Sequence, residues 1–137
     1  MKNRWLVSLI VLLSVVCIAI IEFSPKTLAQ ITGVTESELL SQNSIVNLSG
    51  GDSEIFIVND KEVALQFWSN VIIKHRRWPV KPYATEKEKL FLLMISGTPG
   101  VTLHFTSEGV FFFDRSEYIV VSGHEYVIQF IKAMKNE

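Results

Sequence analysis

The chain has 137 residues, 48% of them hydrophobic and 20% charged, with a formal net charge of −1; that length allows one modest core beside any membrane segment. From Gln30 onward ten Lys and Arg stand against thirteen Asp and Glu, a net of −3 that disfavours a nucleic-acid partner. Cys17 is the only cysteine, which excludes an internal disulfide and a thiolate metal cluster.

Trp5 to Ile21 is an uncharged apolar run. As a helix it rises about 26 Å, close to the ~30 Å hydrocarbon thickness of a bilayer. Lys2 and Arg4 precede it, while Glu22 and then Lys26 follow. The basic side predicts a cytoplasmic N-terminus, with the rest of the chain outside. Residues 1–23 are therefore expected to be a single-pass membrane anchor. The alternative is a secretory signal cut after Ala29, with Thr27 and Ala29 at the small-x-small positions, which would release a secreted protein. The run is long for such a signal, and Lys26 is awkward near the cut. Lipidation of Cys17 is a third fate, but Val16 occupies a position where a small residue is required.

Residues 24–43 read as a stalk broken by Pro25 and Gly33, with one short helix after the capping-box spacing Thr35-Glu36-Ser37-Glu38. Ser44 to Val58 predicts a hairpin around Gly50-Gly51. Asn47-Leu48-Ser49 matches a glycosylation sequon, a match common by chance. Asn59 is expected to cap a helix whose apolar stripe runs through Val63, Ala64, Phe67, Trp68 and Val71 and fails near His75. Residues 86–96 could be helix or strand. Strand is preferred because Leu90 to Ile95 is apolar on every face. With Val101–Phe105, Val110–Phe113 and Tyr118–Val121 it makes a four-strand meander. Ser122-Gly123-His124-Glu125 has capping-box spacing before a last helix lined by Val127, Phe130, Ile131 and Met134.

The expected fold class is α+β: an N-terminal transmembrane helix, then a 44–137 domain of hairpin, helix, antiparallel four-strand meander and C-terminal helix. From Ser44 to Met134 this element order resembles small membrane-tethered exported domains of Gram-positive bacteria that carry no assigned activity. The resemblance implies an extracytoplasmic location and transfers no functional residue.

Catalytic spacing is missing. His124-Glu125 lacks the second histidine of a zinc-protease helix, since Ile128 stands there, and no Gly-x-Ser-x-Gly occurs. The pairs Glu36/Glu38 and Glu86/Glu88 read as solvated carboxylates. No enzyme, cofactor or metal site is expected. One segment departs from its acidic surroundings: Lys74, Arg76, Arg77, Trp78 and Lys81. It suits an anionic lipid or wall polymer. It equally suits a helix end whose dipole attracts cations while Trp78 plugs the core edge. Phe111-Phe112-Phe113 must send Phe112 to the opposite face, either under the stalk or toward a protein partner. The functional expectation is a membrane-tethered, extracytoplasmic, non-catalytic binding or interaction module.

Overall fold

The computed structural model describes residues 2–41, 43–47, 54–57, 60–78, 90–95 and 101–135. Helix α1 spans Lys2–Phe23. It is the one helix among the described residues long and apolar enough to cross a membrane, with a mean hydropathy of 2.9 and no burial against the rest of the chain.

The segment read as a stalk is folded instead. Ser24 and Pro25 lead into β1 (Lys26–Thr27), α2 (Leu28–Thr32) and α3 (Glu36–Ser41). A capping box starts α2: the Gln30 N–H donates to Thr27 Oγ1 at 3.2 Å, and the Thr27 N–H donates to Gln30 Oε1 at 2.9 Å. The box expected at Thr35 and Glu38 also forms, the Thr35 N–H reaching Glu38 Oε2 at 2.8 Å. That bond, with a second from the Thr35 hydroxyl, holds the Glu38 carboxyl below its ordinary pKa. Leu28, Val34 and Leu39 are buried in the main core. Their scattered spacing hides an apolar face that only the tertiary fold assembles.

The hairpin is present as β2 (Asn43–Asn47) and β3 (Glu54–Ile57), paired antiparallel. The next helix, α4, covers Lys61–Asn70. Its cap is Asp60 rather than Asn59, which lies outside the described residues. Asp60 Oδ1 accepts the N–H groups of Glu62 and Val63 at 3.1 Å each. The helix ends earlier than its apolar stripe suggests, for Val71 already turns into β4 (Ile72–Arg77).

The meander follows as β5 (Leu90–Ile95), β6 (Val101–Thr106), β7 (Val110–Phe113) and β8 (Ser116–Ser122), so the ambiguous run settles as a strand. The last helix, α5, covers His124–Lys135. Ser122 is the final residue of β8, opposite Ile72, rather than a helix cap.

Among the described residues, eight strands form one curled antiparallel sheet in the order β1-β4-β8-β7-β6-β5-β2-β3. Helices α4 and α5 pack together and supply Phe67, Trp68, Val127 and Phe130 to a core that also takes Phe91, Leu103, Phe105 and Phe111 from the sheet. Phe112 points to the opposite face yet is only 8% exposed, and Phe113 is half-buried. Within the triplet only Phe113 keeps part of its ring open, and the former stalk packs on the helical side, against α4.

Candidate functional site

Strand β4 carries Lys74, Arg76 and Arg77, so these three do not end a helix and the dipole account of them falls. Its ladder with β8 is irregular between His75 and Arg77. A bulge sets two residues of one strand against one of its partner. Arg76 and Arg77 both reach Glu117, the partner opposite Arg77. Arg77 Nη2 lies 2.6 Å and its Nε 2.8 Å from Glu117 Oε2, while Arg76 Nη1 lies 3.3 Å from Oε1. The Glu117 side chain is 3% exposed, whereas both arginine side chains are more than half exposed. These two arginines are therefore partly committed to holding a buried acid. Lys74 and Trp78 are exposed, Trp78 at 64%. Lys81 lies outside the described residues.

The other face of β4 meets the end of α1. Because Lys26 pairs with Ile73, β4 runs back toward the helix, and the Phe23 ring stands at 85° to His75 with centroids 4.9 Å apart. Tyr118, opposite His75 on β8, meets the same imidazole at 87° and 5.5 Å. These rings wall a cleft of about 540 Å³ at the junction of helix and sheet, within the ~300–1,000 Å³ of small-molecule sites. Trp78 and Phe113 add aromatic surface; Glu22, Asp114 and Lys26 add charge. Lys26 Nζ is 3.9 Å from Glu22 Oε2. Burial pushes the Tyr118 hydroxyl above its ordinary pKa. A hydrogen bond with Ser116 pulls it partly back, and the negative charges of Glu22 and Asp114 raise it again. His75 Nδ1 is buried without a hydrogen-bond partner.

No family model, curated protein or solved structure matches the chain. The site is therefore read from its own geometry. The sequence pointed to Trp78 as part of a basic segment and missed Phe23, His75, Asp114 and Tyr118 as a group. They come from three separate stretches, and only the antiparallel pairings bring them together. The three histidines do not converge: His75 is in β4, His104 in β6 and His124 opens α5. Among the described residues no group of three His, Cys, Asp or Glu side chains could hold a metal ion.

Proposed function

We propose that the protein is a membrane-tethered, extracytoplasmic, non-catalytic binding module, held on the outer leaflet by α1 and steadied there by the basic end of β4. The observation that carries this reading is the direct splice of α1 into the fold. Only Ser24 and Pro25 separate the helix from β1, and β1 pairs with β4. Since β4 runs back toward α1, Arg77 and Trp78 come level with the helix end, where headgroups lie if α1 spans the bilayer. Lys74 and Trp78 would meet anionic lipid or wall polymer directly, a basic residue contributing about 1 kcal/mol near such a surface. The element order of the domain, similar to exported tethered domains, is in keeping with this placement.

The secreted alternative is disfavoured by the core. Cleavage after Ala29 would remove β1, the Thr27 cap and Leu28, a fully buried side chain. Losing a buried Leu typically costs about 2–5 kcal/mol.

Two measurements test the reading. Mass spectrometry of the mature N-terminus should find α1 attached, and a chain starting at Gln30 would end the tether. In nanodiscs, amide exchange in β4 and the β7–β8 turn should be slower on anionic than on neutral lipid. Lys74→Ser with Trp78→Ala and Lys81→Ser should abolish that difference, as should high salt. Equal protection on both lipids would reduce the basic edge to a structural feature.

A further inference from the structure

We propose that the cleft between α1 and the sheet binds a trimethylammonium group of the choline type, with Phe23, Tyr118 and Trp78 as its aromatic walls and Glu22 and Asp114 as its counter-charges. The inference rests on α1 remaining attached, because Glu22 and Phe23 belong to that helix.

Three observations converge on this ligand class. First, two rings stand perpendicular to His75, at 85° and 87°, and Phe113 and Trp78 line the same space. His75 packs against both Phe23 and Tyr118 and, with Trp78 and Phe113, lines one small volume with aromatic surface, the kind of lining that attracts a methylated ammonium ion by cation–π interaction. Second, the sign of the charge is right. The lining carries two carboxylates and one ammonium, a formal −1, and that ammonium, Lys26, already sits 3.9 Å from Glu22. The arginines of β4 turn to the opposite face and are held by Glu117, so they do not neutralise the cleft. Third, the β7–β8 turn holds Asp114 at the rim. Asp114 and Arg115 both have positive φ, 46° and 62°, in the two-residue loop between the paired residues Phe113 and Ser116. That is the mirror-image turn a tight hairpin requires, and Asp is one of the few side chains that tolerates it.

A methylated ammonium suits this lining better than a metal ion, which wants several oxygen ligands and gains little from rings. It also suits it better than an inorganic anion, which the carboxylates would repel. The group could come from a phosphatidylcholine headgroup or from a free solute such as choline.

The experiment uses the full chain in maltoside micelles, with the Trp78 indole N–H resonance as reporter, assigned by its loss in Trp78→Phe. Choline should shift that resonance saturably in the millimolar range, the affinity of a small-headgroup ligand. The neutral isostere 3,3-dimethylbutanol should not shift it. Asp114→Asn, which keeps the turn, and Glu22→Gln should each weaken choline about 2- to 30-fold, the span of a single cation–π or charge contact. Nanodiscs then separate the sources. A shift on phosphatidylcholine discs that is absent on phosphatidylglycerol discs identifies the headgroup, and a resonance that is the same on both discs yet moves with added choline identifies a free solute. If choline leaves the resonance unmoved, or the neutral isostere matches it, the cleft is not a cation site. A recombinant full chain keeps α1 whatever the cell does with it, so that failure would leave the tether untouched.

Discussion

The ring of Phe67 lies flat on Phe130, with centroids 4.1 Å apart and planes 7° from parallel. This stack joins α4 to α5, and Phe67 also touches Phe105 and Phe111 from the sheet. Phe67→Ala should cost about 3–5 kcal/mol, a large part of the ~5–15 kcal/mol that holds a domain. Phe67→Asp should leave it unfolded, because the charge would have no partner in a fully buried position. Urea melts read both, and an unchanged midpoint would mean that the other face of α4 packs on the sheet.

The Glu117 clamp predicts an asymmetry. Removing Arg76 and Arg77 together strands a carboxylate that is nearly inaccessible to water, which should cost about 3–5 kcal/mol. Glu117→Gln leaves two guanidiniums already exposed to solvent, so its cost should be nearer 1–2 kcal/mol, that of a lost buried hydrogen bond. Chemical denaturation of the two variants side by side checks the ordering. It also explains why Lys74 and Trp78, not the arginines, are the residues to change in a lipid-binding test.

Gly123 and Gly33 both have positive φ, +82° and +68°, but in different surroundings. A Cβ on Gly123 would run into the carbonyl oxygen of Asn70, where the end of α4 approaches the start of α5. One on Gly33, the α2 C-cap, meets nothing within 4 Å. Gly33→Ala should therefore cost only the left-handed penalty, about 1–2 kcal/mol. Gly123→Ala should cost clearly more and lower the melting temperature further.

His104 sets an acid limit. Burial in β6 lowers its pKa below the ordinary 6.5, so the folded state favours the neutral ring and the unfolded chain takes the proton first. Its contribution is complete above about pH 6.5 and is lost as pH falls from there through the lower folded value. Replacing His104 with Gln should flatten the fall in stability that begins below about pH 6.5, measured by urea melts at successively lower pH. A slope unchanged by the substitution would assign the acid loss to other groups.

What the sequence made legible was whatever local chemistry decides alone. The hairpin strands, the meander and α5 announce themselves through apolar spacing, and the fold bears these elements out, while the expected Gly50-Gly51 turn lies outside the described residues. Strand β4 was hidden because Val71 and Ile72 continue the stripe of α4, so nothing local marks where the helix stops. Two-residue β1 lies below any periodic signal, although Thr27 and Gln30 spell out the cap that follows it. The cleft was invisible for a different reason: Phe23 and His75 are 52 positions apart, and only the pairing of Lys26 with Ile73 makes them neighbours.

That same pairing limits how far the domain can travel. A free 20-residue leash would let it wander over roughly 25 Å. Ser24 and Pro25 span at most about 7 Å, and β1 is fastened to the sheet at once. The domain is thus less a balloon on a string than a paddle fixed to its shaft: tilting or turning α1 carries the sheet along with it. With α1 held in the bilayer, as proposed above, the domain would keep a constant height over it, and anything it met would have to come to that height.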